Sequence, residues 1–168
     1  MAKIKDVARL LVLLAQERDG DLMTQLRLQK MLFFVQGWHL ARHGVPLFDA
    51  PIQAWELGPV STEIRSEYFQ CKNQGIEIPE DEKENVQLAE ISKLELETIL
   101  DVFNEYDKYS TGTLVNMTHM SEPWKKHYDK ATKCHVIPVD DIRDFFSKQP
   151  KLSGMDEILA GYPTEIVE

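Results

Sequence analysis

The sequence predicts a mainly α-helical, compact single domain of six or seven helices with one or two short β-strands. Apolar residues recur every three to four positions through most of the 168 residues, which is the period of a helix with one buried face. The longest such stretch runs into a loop rich in proline and glycine, where residues 52–56 alternate in a way that indicates a short strand. The apolar fraction of 43% and the charged fraction of 28% are typical of a globular domain.

Residues 26–60 are the stretch around which the rest of the chain is organised. A helix over about residues 25–43 is predicted from one apolar stripe, formed by Leu28, Met31, Leu32, Val35 and Trp38. Arg27, Lys30 and Arg42 lie off that stripe. Thr24 is the predicted N-cap, and Gly44 is predicted to end the helix in a left-handed conformation.

The other elements follow from local start and stop signals. A first helix is predicted over residues 3–18, and a third is predicted from Pro59 to about residue 73, with Val60, Ile64, Tyr68 and Cys71 on its apolar face. Residues 76–89 are predicted as a polar connection, with room for a short strand at 75–78. Ser92 and Glu95 form a capping box at the start of a helix that reaches about residue 109.

Three shorter helices are predicted in the remainder of the chain. One covers residues 114–119, one has Pro123 and Trp124 in its first turn, and the last is capped by Asp140. Pro150 ends the last helix. We therefore divide the chain into a domain of residues 1–150 and a C-terminal extension of residues 151–168, in which residues 155–159 form at most one helical turn.

The net charge of −9 comes from one segment. Residues 77–107 hold eleven acidic side chains and two lysines, which accounts for the whole excess. Such a segment disfavours nucleic-acid binding, which relies on neutralisation of phosphates by Lys and Arg. Two interpretations stay open: a solvated helix face, or a surface that suits a basic partner.

The sequence indicates a cytoplasmic protein without a membrane segment. No apolar run approaches the 18 or more residues of a membrane span. Asp6 and Arg9 interrupt the apolar run near the N-terminus, which indicates an amphipathic helix and not a signal peptide. Cys71 and Cys134 are too few for a disulfide framework and are expected to be free thiols.

No catalytic, cofactor or metal motif is recognisable. His39 and His43 have the i, i+4 spacing of zinc ligands, but the glutamate and third ligand of a zinc-protease pattern are missing. There is no GxSxG, P-loop or GxGxxG motif. We expect no enzyme activity and no cofactor. We interpret His119 as a hydrogen-bonding residue that orients the turn at residues 121–124.

Four lysines surround Trp124 and could contact a phosphate backbone: Lys125, Lys126, Lys130 and Lys133. A solvated face beside one buried ring explains the same pattern and is the preferred interpretation, because no zinc-finger spacing or basic recognition helix accompanies it. Nucleic acid is therefore an unlikely partner on sequence grounds.

Three blocks together carry a family resemblance. They read LRLQKMLFFVQGWHLARHG, PLFDAPIQAWELGPV and MTHMSEPWKKHY, in this order, within a resemblance that extends from about Val7 to Phe146. In sequence, order and separation they resemble the SocA/Panacea antitoxin-domain family, in which older descriptions read "phage-associated protein". The resemblance implies an intracellular bacterial or phage protein that neutralises a toxin by binding it. One family member is thought to hand its toxin to an ATP-dependent protease.

Protein binding is the function class that the residues favour. Trp38, Trp55 and Trp124 are of a type enriched at interface hot spots, although core packing is the simpler explanation for each. The loop at residues 45–59 is stiffened by three prolines and is predicted to expose Phe48 and Trp55. A preorganised loop loses less entropy on binding. The predicted partner-binding residues are His39, Arg42, Phe48, Trp55, Glu56, Pro59 and Trp124. Changes at Arg42, Phe48 and Glu56 are expected to abolish neutralisation while the fold stays intact.

The predicted function is thus an antitoxin that occludes a cognate protein toxin by direct binding. Alternatives are an adaptor that delivers a client to a AAA+ protease, a DNA-binding autorepressor, and a phage-encoded inhibitor of a host defence factor.

Overall fold

The described structure is a computed structural model that covers residues 1–87, 89–132, 134–150 and 152. Over these residues the chain forms eight α-helices: α1 (Ile4–Asp19), α2 (Gln25–His43), α3 (Thr62–Glu67), α4 (Lys83–Gln87), α5 (Lys93–Tyr106), α6 (Thr111–His119), α7 (Glu122–His127) and α8 (Val139–Ser147). The same residues form five short strands: β1 (Met23–Thr24), β2 (Gln53–Trp55), β3 (Gly58–Val60), β4 (Gly75–Ile76) and β5 (His135–Val136). The mainly α-helical fold class is confirmed, with a few more short elements than predicted.

Helix α2 is the centre of the fold, and α1, α5, α6 and α8 all pack against it. Residues 28–40 of this helix are buried without interruption. The prediction of a single apolar stripe was therefore incomplete, because the helix is enclosed on every side. Its polar side chains at Gln29, Lys30, Gln36 and His39 lie inside the protein and need internal hydrogen-bond partners.

An aromatic layer joins α2 to α5 and α8. The ring of Phe34 stacks on Tyr106 with 4.1 Å between centroids, and the Trp38 Nε1 donates a hydrogen bond to the Tyr106 hydroxyl at 2.9 Å. Gly37 allows α8 to approach closely, since a Cβ at this position would lie 2.1 Å from the ring of Phe146. Trp38 is therefore a core residue, in agreement with the simpler interpretation.

The strands form two small antiparallel sheets. β2 and β3 make a hairpin in which Trp55 pairs with Gly58, and β5 pairs with the other edge of β2. The short strand predicted within residues 52–56 is confirmed as β2. The second sheet pairs β1 with β4 and so ties the start of α2 to the segment after α3.

Two side chains of α2 fasten the loop that follows it. The Gln36 carboxamide accepts from the backbone N–H of Leu47 at 2.8 Å and donates to the carbonyl of Phe48 at 2.8 Å. Gln29 makes the same pair of bonds with the backbone of Ser61, at 2.8 and 3.0 Å. The loop is thus held at both ends by buried side chains, which satisfy its main-chain polar groups.

Several local predictions needed correction. The helix expected from Pro59 to residue 73 is the short α3, followed by a 3-10 turn at Phe69–Cys71. The segment predicted as a polar connection contains a 3-10 turn at Glu80–Glu82 and the helix α4, which is anchored by the buried Val86. Helix α8 begins at Val139 with Pro138 as its N-cap, two residues before the predicted cap Asp140. The extension at residues 151–168 lies outside the described residues except for Leu152, so the domain boundary stays a prediction.

The predicted ends of the second helix and the predicted start of α5 are confirmed. The Thr24 hydroxyl accepts a hydrogen bond from the Arg27 N–H, and Gly44 has a φ of 71° in the left-handed region. Ser92 and Glu95 form the complete capping box, with bonds of 3.3 and 2.8 Å in the two directions. Local sequence therefore sets the ends of the long helices.

We expect Ser92→Ala to lower the free energy of unfolding by about 1 kcal/mol, because the Glu95 N–H loses its acceptor. Urea denaturation monitored by circular dichroism measures the change. Ser66→Ala, on the exposed face of α3, is the control and should stay within about 0.5 kcal/mol of the wild type. Equal stability of Ser92→Ala and the control would show that the cap contributes nothing.

Candidate functional site

The hairpin of β2 and β3 is the point at which three separated parts of the sequence meet. Lys30 reaches it from α2, His119 from the end of α6, and Trp124 from α7. Each of these side chains bonds to a main-chain carbonyl of the hairpin. We call residues 55–58 the hairpin tip.

Lys30 lies underneath the hairpin. Its Nζ donates a hydrogen bond to the carbonyl oxygen of Pro59 at 2.8 Å, and the residue is 0% exposed. Burial lowers the pKa of the Lys30 amine to about 7, because an apolar environment disfavours the charged form. Sequence analysis placed Lys30 off the apolar stripe and missed this role. The available signal was a lysine in the middle of an otherwise apolar helix.

His119 and Trp124 hold the turn from the other side. The Trp124 Nε1 donates to the carbonyl of Trp55 at 2.7 Å, and the His119 Nε2 lies 2.8 Å from the carbonyl of Glu56. Since a carbonyl oxygen only accepts, the His119 Nε2 carries the hydrogen. Burial lowers the pKa of His119, which favours the neutral ring. Its imidazole also packs on the Trp124 indole, with 4.4 Å between centroids. The predicted orienting role of His119 thus extends to the hairpin.

We expect Trp124→Phe to destabilise the protein by about 1–2 kcal/mol, because the Trp55 carbonyl loses its donor while an aromatic ring still faces Tyr128. Urea denaturation measures the effect. The matched control is Trp55→Phe, which loses only the partly buried bond to Gln53 and should cost less. A larger loss in the control would contradict the fastening role assigned to Trp124.

The hairpin tip presents its side chains outward while its backbone is held. Glu56 and Leu57 are exposed, and Trp55 is half-buried. Of the seven predicted partner-binding residues, the structure brings Trp55, Glu56 and Trp124 together here. Trp124 contacts the tip mainly as a support, whereas Glu56 is directly accessible.

Three of the predicted partner-binding residues are buried, and the expected exposure of Phe48 was wrong. Phe48 is 0% exposed because its backbone is bound by Gln36, so its ring enters the core. Pro59 is covered at the hairpin by Lys30 and by residues of α6. His39 is buried beside Thr98, with 3.1 Å between Nδ1 and Oγ1. A change at Phe48 would therefore disturb the core, contrary to the expected intact fold.

Arg42 lies on a different surface. Its guanidinium forms an ion pair with Asp101 of α5 at 2.8 Å. Twelve residues of helix separate Arg42 from Lys30, which places them roughly 18 Å apart along the axis at 1.5 Å per residue. The structure thus does not join Arg42 to the hairpin tip, and its contact with a partner stays a separate prediction.

A groove beside the hairpin tip was missed by sequence analysis. It has a volume of about 620 Å³, and its walls include Leu26, Trp55, Leu57, Arg65, Phe69 and Lys72. The Arg65 guanidinium lies over two of the rings, 5.1 Å from the centroid of Trp55 and 5.5 Å from that of Phe69. Phe69 falls off the apolar face predicted for its helix, which was the one available signal. We call this the hairpin groove.

Many carboxylates of the acidic segment are paired with cations of the same chain. Seven of its carboxylates form ion pairs: Glu80, Glu82, Glu95, Glu97, Asp101, Glu105 and Asp107. Ion pairs join the end of α5 to α1, the middle of α5 to α2, and α4 to α1. These ion pairs help to fix the relative positions of the helices. The interpretation as a solvated and internally paired face is therefore favoured over a surface for a basic partner.

The lysines near Trp124 do not form one free patch. Lys126 pairs with Asp141 of α8 at 3.2 Å, Lys125 and Lys130 are exposed, and Lys133 lies outside the described residues. In the described part of the chain, no three His, Cys, Asp or Glu side chains come together as a metal site would require. Across the same residues, no helix combines the length and the apolar character needed to span a membrane.

Comparison with known proteins identifies the class to which this arrangement belongs. Residues 28–125 match the family described as antitoxin SocA-like, Panacea domain, which is more than half of the chain. The chain therefore belongs to the SocA-like antitoxin family with a Panacea domain, and its general role is of the antitoxin type. The matched region contains the three parts that meet at the hairpin, up to and including Trp124. No curated protein and no solved structure matches the chain.

Proposed function

We propose that the chain neutralises a cognate protein toxin by binding it directly, as a non-enzymatic partner, with the hairpin tip in the contact. The observation that carries the proposal is the fastening of the hairpin: His119 and Trp124 bind the backbone of the tip, and Lys30 binds that of the adjoining Pro59, while Glu56 and Leu57 stay exposed. A loop that is already ordered loses little conformational entropy on binding. Family membership supports the antitoxin-type role.

We propose that the contact extends from the tip onto the adjoining groove. A stable complex buries about 800 Å² on each partner. The exposed tip and the adjoining hairpin groove supply an apolar centre with charged residues beside it, which is the usual arrangement of an interface. Catalysis has no comparable support, since no nucleophile is paired with a base at this site.

The test is co-expression of the chain with the product of its neighbouring gene. Growth is scored with each protein alone and with both together, in cells with and without the AAA+ proteases. Direct neutralisation predicts that the neighbour is toxic alone, that toxicity disappears on co-expression without any protease, and that the two proteins co-purify. Rescue that requires a protease would instead establish an adaptor. A neighbour that is harmless alone would remove the proposal's main support.

The surface is tested in the same assay by Leu57→Asp, which places a charge in the centre of the tip. Leu57 is exposed, so the fold should be retained. Arg42→Glu is the comparison on the other surface. Loss of rescue with Leu57→Asp, and not with Arg42→Glu, would locate the toxin at the tip. The reverse result would locate it at the surface formed by α2 and α5.

A further inference from the structure

The hairpin groove has an apolar wall that no described residue covers. Phe69 is 54% exposed and Leu57 is 38% exposed, although both are large apolar side chains. Single exposed apolar residues are common at protein surfaces. Here, however, they line one concavity together with Trp55 and Leu26, from four different elements or turns. Such a shape is suited to a ligand with an apolar group at its centre.

The groove also holds two cations that form no ion pair with any carboxylate among the described residues. Arg9, Arg18, Arg27, Arg42 and Arg143 each form an ion pair with a carboxylate. In the part of the chain that the structure describes, Arg65 has no carboxylate partner and lies instead over the rings of Trp55 and Phe69. Lys72, at the end of the groove, likewise has no ion pair among the described residues. In a chain of net charge −9, these two cations lie together at one apolar groove.

The one carboxylate on the groove wall is Glu56. It lies at the hairpin tip, and its main-chain carbonyl is bound by His119. Two cations and one carboxylate leave the groove with a positive balance. This charge favours an acidic ligand over a basic one.

The backbone at Lys72 adds an independent observation. Its φ of 50° and ψ of −119° are conformations that glycine favours, and it is the one non-glycine residue with positive φ in the described ranges. Gln74 N donates to the Cys71 carbonyl at 2.9 Å, so Lys72 occupies the first central position of a tight turn. Strained backbone of this kind is concentrated at binding sites. Here the strained position lies at the groove and is occupied by a lysine, although a glycine would relieve the strain.

We propose that the hairpin groove docks a segment of the toxin that carries one apolar anchor residue flanked by carboxylates. The anchor would pack against Trp55, Leu57 and Phe69, and the carboxylates would pair with Arg65 and Lys72. An arginine whose guanidinium lies over aromatic rings can still bind a carboxylate through two N–H bonds. This inference rests on the proposed function for the identity of the ligand, but it can be tested without a toxin.

The test is selection of a phage-displayed library of random twelve-residue peptides on the full chain. The selected peptides are then synthesised, and their affinities are measured by fluorescence anisotropy. We expect them to share an aromatic residue or leucine with Asp or Glu on either side. Arg65→Glu combined with Lys72→Glu should weaken binding at least tenfold, and so should Phe69→Ala. All of these positions are exposed, and circular dichroism should show unchanged folding.

The matched control is Lys130→Glu combined with Lys148→Glu, which changes the net charge equally at exposed lysines outside the groove. It should bind the peptides like the wild type. Enrichment of peptides without acidic residues, equal binding by the groove variant, or no enrichment would overturn the proposal. A wild-type dimer that becomes monomeric in the groove variant, measured by light scattering, would do so as well, because the occupant would then be a second copy.

The two proposals fail in different ways. If co-expression rescues growth and the Arg65→Glu, Lys72→Glu variant rescues it equally well, direct neutralisation stands and the groove proposal is wrong. If the neighbouring gene product is harmless, the antitoxin mechanism loses its support, and the peptide selection still decides what the groove binds.

Discussion

Replacing Gly58 by alanine is expected to destabilise the protein by on the order of 3 kcal/mol and to abolish partner binding. Gly58 has a φ of 104°, which side chains with a Cβ rarely adopt. Its Cβ would also lie 2.5 Å from the Thr118 Oγ1 and 2.9 Å from the Lys30 Nζ. Backbone strain and overpacking each cost roughly 1–3 kcal/mol. Urea denaturation measures the stability, and the co-expression assay measures binding.

Gly44→Ala separates the two causes. Gly44 also has positive φ, at 71°, but a Cβ there meets no atom within 4 Å. This control should lose about 1 kcal/mol of unfolding free energy, because only the backbone conformation is strained. The difference in unfolding free energy between the two variants then measures the cost of crowding Lys30 and Thr118 beneath the hairpin. If both variants lose the same free energy, the close packing beneath the hairpin is not energetically important.

The protein is expected to become more stable as the pH rises from 7 to 9, because the buried Lys30 amine loses its proton in this range. The Lys30 pKa is about 7 in the folded protein, because the amine is buried, and about 10.4 in an unfolded chain. Between these values the unfolded chain binds more protons, so the free energy of unfolding increases with pH. The gain over this interval is on the order of 2 kcal/mol. Below pH 7 both states are protonated, and the penalty for burying the charge is fully present.

The variant Lys30→Met removes this dependence. Methionine has a similar length and flexibility and fills an apolar site without a charge. Urea denaturation at pH 7, 8 and 9 should show a free energy of unfolding that rises with pH for the wild type. For the variant, the rise with pH should be smaller by the contribution of Lys30. Groups other than Lys30 that titrate in this range act equally in both proteins. Identical slopes would mean that the Lys30 amine keeps an ordinary pKa, and hence that it is solvated.

The sequence predicted the helices better than the side chains that join them. Thr24, Gly44 and the capping box of Ser92 and Glu95 act on neighbouring backbone, so local patterns were sufficient. The stretch from Pro59 to about residue 73 was predicted as one helix, because periodicity does not show where a helix changes to a 3-10 turn.

The candidate site could be predicted only in part, because its geometry depends on contacts between distant residues. Trp55, Glu56 and Trp124 were identified from the aromatic loop and from the family resemblance. Lys30 was missed because α2 is enclosed on all sides by tertiary packing, which a single stripe cannot reveal. Arg65 gave no signal at all, since its aromatic neighbours come from two different segments.

The way in which the hairpin is fastened also bears on how such proteins can diversify. All three bonds from Lys30, His119 and Trp124 end on main-chain carbonyl oxygens, which every amino acid provides. Replacing the exposed side chains at Glu56 and Leu57 therefore leaves the fastening intact. Mutations at the tip can accumulate without compensating changes in the core, so the specificity of recognition can drift while the scaffold is inherited unchanged.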